Sequence, residues 1–228
     1  MGLGTASSYG VLAATAVTNT GASVIAGNLG LSPDTATSVT GFPPGRVTGS
    51  QNVGAAAAGA QDDLTTAYNQ AAIAPSTGPN TQSTIGSAGL ETGPLVPGIY
   101  KASSSLEIDG ALTLDAEGDP NAVWIFQAPA STLTADMNSS VVLTGGAQAC
   151  NVFWQVGTSA TIETTATFVG TILALTSISV QHGATIIGRA LARNGTVTLD
   201  DDTIIVPSCA TTPTPSPSPT STPTSTPT

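Results

Sequence analysis

The chain has 228 residues and a formal net charge of −10, from 14 acidic and 4 basic side chains. Nucleic acids and anionic membranes repel such a chain, and no Lys or Arg cluster is present to neutralise phosphates, so we expect no nucleic-acid partner. Charged residues make up only 8% of the chain and hydrophobic ones 40%, which favours a folded domain with a mostly neutral surface.

The N-terminal residues MGLGTASSYG have neither the basic nor the apolar region of a signal peptide. We interpret the protein as secreted, with its signal absent from this sequence and Met1 added as a start codon. No run of eighteen apolar residues occurs, so we expect no membrane insertion.

Residues 50–74 predict the one long helix. Apolar residues recur in it at helical spacing, Ser50 could cap its start, and Pro75 stops its end. The predicted stripe is mostly alanine, which indicates a helix lying close against a flat surface. Its members are Val53, Ala57, Ala60, Leu64, Ala67 or Tyr68, and Ala71.

The C-terminal half is periodic. Residues 152–170, 171–188 and 189–206 each hold an apolar run, an alternating run and a second short apolar run, separated by turns. Segments 9–30, 98–120 and 123–145 fit more loosely. A period of about 18 with three strands per repeat predicts a mainly β protein, a parallel β-helix of three faces and about six coils. A β-sandwich is the alternative, but its hairpins would not require three successive segments to share the same pattern.

The dimensions of the predicted helix suit such a stack. Twenty-five residues span roughly 37 Å, and six coils stack to about 29 Å. We therefore expect the helix to run parallel to the axis of the coils. Strands one and three of each row place apolar residues outward, so one of these two faces must take the helix.

Strand two differs, because its outward residues are small and polar while its inward ones are apolar. We predict that this face is uncovered and forms the binding site, although Thr is also simply a good strand former. Glu107, Asp109 and Glu163 interrupt the pattern. The candidate site residues are Thr18, Thr20, Thr132, Thr134, Thr161, Thr164, Ser179, Gln181, Thr196 and Thr198.

The two cysteines, Cys150 and Cys209, are interpreted as one disulfide that pins the end of the domain, with two unrelated buried thiols as the alternative. The domain is predicted to span residues 1–210. Residues 211–228 alternate Pro with Ser and Thr, which is typical of an extended linker or stalk. Such a stalk suggests attachment to a cell wall or a further domain.

No active site is apparent. The basic residues are too few to hold an acidic polysaccharide, and the run Asp200–Asp202 falls at a predicted turn, where Asp commonly bonds to backbone. A calcium site at this turn is the less favoured interpretation, because one turn supplies few ligands. His182 is interpreted as a turn residue. We expect no enzyme activity, no metal and no cofactor.

Several motifs occur in order along the chain: TSVTGFPPG, PGIYK, VWIFQ, CNVFWQVGTSATI and FVGTILALTSISVQHGATIIGRALARNGTVTLD. In these the chain resembles the microbial ice-binding proteins of the DUF3494 type over about residues 5–209. The resemblance implies a discontinuous right-handed β-helix flanked by one helix, and adsorption to ice through a flat face without cofactor or catalysis. We expect the protein to be a monomer. The alternative is an extracellular adhesion or surface-layer module that binds protein or glycan.

Overall fold

The computed structural model describes residues 1–77, 83–87 and 93–209. The predicted linker, residues 211–228, and the domain limit at residue 210 lie outside them. The helices are α1 (Ala55–Ile73) and the 3-10 turns η1 (Gly4–Ser8), η2 (Ala36–Ser38) and η3 (Ala149–Asn151). The strands are β1 (Tyr9–Ala13), β2 (Ala16–Thr20), β3 (Val24–Ala26), β4 (Asn28–Leu31), β5 (Val39–Thr40), β6 (Arg46–Val47), β7 (Gln51–Val53), β8 (Thr84–Ile85), β9 (Gly98–Lys101), β10 (Leu106–Ile108), β11 (Ala111–Asp115), β12 (Trp124–Ala128), β13 (Leu133–Ala135), β14 (Ser140–Thr144), β15 (Val152–Val156), β16 (Ala160–Ile162), β17 (Thr167–Ala174), β18 (Ile178–Val180), β19 (Thr185–Ala192), β20 (Thr196–Asp200) and β21 (Thr203–Ile205).

The strands stack as coils of a parallel β-helix, which confirms the predicted fold class. Strand two of every coil joins one sheet of eight strands in the described part of the chain, in the order β5-β2-β20-β18-β16-β13-β10-β8. Strands one and three make up the second sheet. The stack is taller than the predicted six coils. The sequence prediction missed the two end coils because their strands β5 and β8 have only two residues each, too few to show an alternating pattern.

The order of the coils is discontinuous along the chain. The N-terminal strand β2 pairs with the C-terminal strand β20, and β3 pairs with β21. Strand β7 lies near one end of the stack and is followed by α1. Strand β8 lies at the other end, and from there the strand-two strands stack in chain order from β8 to β20. The helix has 19 residues and so spans about 28 Å, against about 34 Å for eight strands.

The helix starts later than predicted. Residues 51–53, including Val53, belong to β7, which pairs with β4. The capping role expected of Ser50 was wrong, because the N-cap residue of α1 is Gly54. Ser50 lies before β7, and its backbone N–H donates to Asn28 Oδ1 at 2.9 Å. The chain enters the helix at Gly54, which has φ 63°, a conformation that glycine adopts without steric cost.

The buried stripe of α1 agrees with the prediction and shows which face the helix covers. Buried helix residues pack against strand-one side chains from five coils, including Leu12, Leu173 and Ile125. The strand-one face thus takes the helix. Gln127 fixes its end by donating from Nε2 to the carbonyls of Ala71 and Ala74, at 2.6 and 2.8 Å. The buried members of the stripe are Ala57, Ala60, Leu64, Ala67, Tyr68 and Ala71.

The strand-three face is only partly covered. Val169 is buried, whereas Ile205 on the same face is 41% exposed. The predicted disulfide is confirmed: Cys150 and Cys209 are bonded, with their Cα atoms 6.0 Å apart. The last described residues are therefore held next to η3, where strand three passes into strand one.

The interior of the coils is apolar, with a stack of aromatic rings towards the β8 end. Tyr100, Phe126 and Trp154 lie in successive strands and stack with ring centroids 5.3 and 4.1 Å apart. The indole N–H of Trp154 donates to the carbonyl of Val169 at 3.0 Å. Layers of this kind keep the strand-two sheet in a fixed position, since close-packed interiors deform little.

Candidate functional site

The outward side chains at the centre of the strand-two sheet form a single column, one from each coil. Backbone register pairs Thr18 with both Thr40 and Thr198, and the same register continues to Thr84 at the other end. Seven of these eight rungs carry a hydroxyl. The middle column, in spatial order, is Thr40, Thr18, Thr198, Ser179, Thr161, Thr134, Glu107 and Thr84.

Two residues before the middle column on each strand lies another column, called the first column, about 6.8 Å away along the strand direction. It consists almost wholly of hydroxyl residues and carries no charge among the described coils. Ser177 and Thr196 in this column are half-buried, and Thr132 is exposed. The first column is Ala16, Thr196, Ser177, Ser159, Thr132 and Ser105.

Hydrogen bonds between neighbouring coils fix several of these hydroxyl groups. The Thr198 hydroxyl donates to Ser179 Oγ at 3.2 Å, and the Thr196 hydroxyl donates to Ser177 Oγ at 3.3 Å. Within one coil, Gln181 Nε2 donates to Ser179 Oγ at 2.9 Å. These bonds restrict side-chain rotation, so the two columns form a regular, preorganised surface with rungs about 4.8 Å apart.

The third column, two residues after the middle one, is acidic. Burial, together with the nearby carboxylates of Glu107, Asp109 and Glu163, raises the pKa of Asp136 above its ordinary value. The strand-two face therefore has a hydroxyl part, in which Glu107 is the one charged residue of the described columns, and one acidic edge beside strand three. The third column is Thr20, Asp200, Gln181, Glu163, Asp136 and Asp109.

The structure brings nine of the ten predicted site residues together on this face. Thr18, Thr134, Thr161, Ser179 and Thr198 lie in the middle column.

Of the others, Thr132 and Thr196 lie in the first column, and Thr20 and Gln181 in the third. Thr164 does not belong to the face: it lies in the turn between strands two and three, where its carbonyl accepts a bond from the hydroxyl of Thr165. That prediction was wrong because the alternation ends one residue earlier, at Glu163.

Sequence reasoning missed five hydroxyl residues of the columns, among them Ser105, which lies two residues before Glu107. Ser159 and Ser177 continue the alternation two residues before Thr161 and Ser179, so the signal was present in the rows. Thr40 and Thr84 lie in two-residue strands, where no periodicity can appear. Only the pairing of the coils places them on the face.

The turn after β20 behaves as predicted, with Asp side chains bonded to backbone. Asp202 is buried and accepts from the N–H groups of Ala184 and Asp200, at 3.0 and 2.7 Å. Burial raises the pKa of Asp202 to about 7. Asp201 Oδ1 accepts from the N–H of Ala22.

The exposed His182 is a turn residue, as expected, and lies between β18 and β19 in the coil next to the β20 turn. Its Nδ1 is 3.5 Å from Asp200 Oδ2 and 3.7 Å from Asp201 Oδ2. In the described part of the chain, these three are the one group whose potential metal-ligating atoms lie close together, within 4.8 Å. Three such ligands fall well short of the six to eight oxygens that Ca²⁺ prefers.

The described residues contain no helix of the length and apolar character needed to cross a membrane. Residues 11–205 match the model of the family described as Ice-binding-like. A curated ice-binding protein from Nostoc sp. (strain HG1) is 51% identical over 206 residues, which cover 89% of this chain and 72% of that protein.

Solved structures agree with the sequence relatives. The crystal structure of an ice-binding protein from the Antarctic ascomycete Antarctomyces psychrotrophicus has a TM-score of 0.84 and 41% identity, covering 91% of this chain and 98% of that one. An ice-binding protein from an Antarctic biological consortium has a TM-score of 0.82 and 47% identity, covering 90% of each chain. The chain belongs to the Ice-binding-like family.

Proposed function

We propose that this protein adsorbs to ice crystals through the first and middle columns of the strand-two face. The observation that carries the proposal is the register of the middle column, which places one Ser or Thr per coil at a constant spacing across six successive coils. Membership of a family whose named members are ice-binding proteins supports the same function.

The chemistry of the columns suits a neutral, ordered water surface. Threonine presents a methyl group beside a hydroxyl, so it can both exclude and bond to water, and it carries no charge that would hold a separate hydration shell. Because the scaffold fixes the spacing before contact, little conformational freedom is lost on adsorption. Many weak contacts made at once can then hold the protein on the crystal.

Adsorption of this kind needs no covalent step and no cofactor, so the proposed activity is not enzymatic. The protein acts outside the cell as a monomer, and its disulfide suits an oxidising compartment. Residues 211–228 serve as a spacer to a cell wall or a further domain. None of the relatives named above is an adhesion module, so the alternative function has no support among them.

A bulky residue at the centre of the face tests the proposal. Ser179→Tyr or Thr161→Tyr should remove most of the thermal hysteresis, because the ring holds the neighbouring hydroxyls away from a flat lattice. Asp62→Tyr, on the exposed side of α1, is the control and should keep full activity. Asp62→Tyr should melt close to the wild type, since exposed substitutions usually change stability by less than about 0.5 kcal/mol. Thr161 and Ser179 are half-buried, so melting temperatures establish that the two strand-two variants are folded.

The assay combines nanolitre osmometry with observation of crystal shape. Full hysteresis in both strand-two variants would show that the wrong face has been assigned. A wild-type protein that neither lowers the freezing point nor shapes crystals would refute ice binding itself.

A further inference from the structure

The middle column is interrupted at one rung. Glu107 occupies the position that Ser or Thr fills in all the remaining coils of the column, and it lies between Thr134 and Thr84. The Thr84 hydroxyl donates to Glu107 Oε2 at 2.8 Å. The last hydroxyl of the column is therefore tied to a carboxylate and separated by it from the other six.

The negative charge at this rung is not compensated by a neighbouring cation. In the described ranges, the ion pairs involve only His182 with Asp200 and Asp201, at the other end of the acidic column. The groups that face Glu107 across and along the sheet are the carboxylates of Asp109 and Asp136, with Glu163 one coil beyond Asp136.

An uncompensated carboxylate is poorly suited to contact with ice. Stripping its water is costly unless another charge or several donors replace that water. A neutral lattice offers no counter-ion, and a hydrated carboxylate holds the surface at a distance. The hydroxyl rungs before Glu107 can meet the lattice directly, whereas those beyond it lie behind a hydrated charge.

We propose that Glu107 is the boundary of the ice-contact area, which covers the six rungs from Thr40 to Thr134 and excludes Thr84. This inference rests on the proposed function of the face. Six rungs span about 24 Å and eight span about 34 Å. One side chain therefore limits the column to about seven tenths of the length that the scaffold provides.

The test is a gain of activity. Glu107→Thr completes the column, so thermal hysteresis at equal molar concentration should rise by about 1.4-fold or more, in proportion to the added length. Glu117→Gln is the matched control for loss of one negative charge: Glu117 lies in an exposed turn away from the face and should have no effect. Melting temperatures by circular dichroism establish that both variants are folded.

Hysteresis in folded Glu107→Thr at or below the wild-type value would overturn the inference. A gain of the same size in Glu117→Gln would do so too, because net charge would then explain the effect. If Glu107→Thr does not fold, Glu107→Gln removes the charge at nearly constant shape and carries the same expectation and the same refutation. Each of these outcomes is independent of Ser179→Tyr, which tests whether the face binds ice at all.

Discussion

Replacing Ala60 with leucine tests how closely the helix lies on the coils. Ala60 is 3% exposed and belongs to the cluster in which α1 packs against strand-one side chains such as Leu12 and Leu191. Leucine adds three carbon atoms at a contact that alanine already fills. The added atoms can fit only if the helix moves outward or neighbouring side chains leave their preferred rotamers.

The expected cost follows from that packing. Overpacked core positions usually lose about 1–3 kcal/mol, even though the larger side chain buries more apolar surface. For a domain of this size, 1 kcal/mol lowers the melting temperature by about 2–4 °C, so we expect a fall of about 2–12 °C. The helix propensities of alanine and leucine are similar and contribute little.

The control is the same substitution at an exposed position in the first turn of the same helix. Ala56 is exposed, so Ala56→Leu should change the free energy of unfolding by less than about 0.5 kcal/mol. Chemical denaturation followed by circular dichroism gives both values. Equal stabilities for Ala60→Leu and Ala56→Leu would refute the argument that the alanine stripe sets the distance between helix and coils.

Two further predictions concern stability. The pKa of Asp202 in the native state is about 7, above the ordinary value of 3.8. The native state therefore binds this proton more tightly than the unfolded state does. As pH rises from about 4 to 7, the free energy of unfolding should fall, by at most about 4 kcal/mol from this group. Asp202→Asn should flatten that part of the stability profile in denaturation at several pH values, and an unchanged profile would contradict it. The disulfide closes a loop with a sequence separation of 59, so its reduction should destabilise the protein by about 2–5 kcal/mol; equal denaturation curves with and without reductant would count against this.

The sequence by itself determined the parts of the fold that rest on local periodicity. The rows between residues 152 and 206 each alternate within a few residues, and the observed strands β15 to β21 follow them. The stripe containing Ala57, Ala60 and Leu64 predicted the buried side of α1, because helical spacing is also local. Both patterns can be recognised from the local sequence alone, because the spacing of apolar residues shows which side of a strand or helix is buried.

The tertiary structure alone decided how the coils are stacked and which hydroxyls align. The strand-one and strand-three faces were both candidates for the helix, and only the packing of α1 decided that it covers strand one. Thr40 and Thr84 join the face through pairing with segments far away in the chain. The sequence marked Glu107 as an interruption, but its place between Thr134 and Thr84 depends on register, which is set by pairing across turns of unequal length. The local sequence does not show which residues such pairing brings together, since the register of each strand depends on the packing of the whole stack.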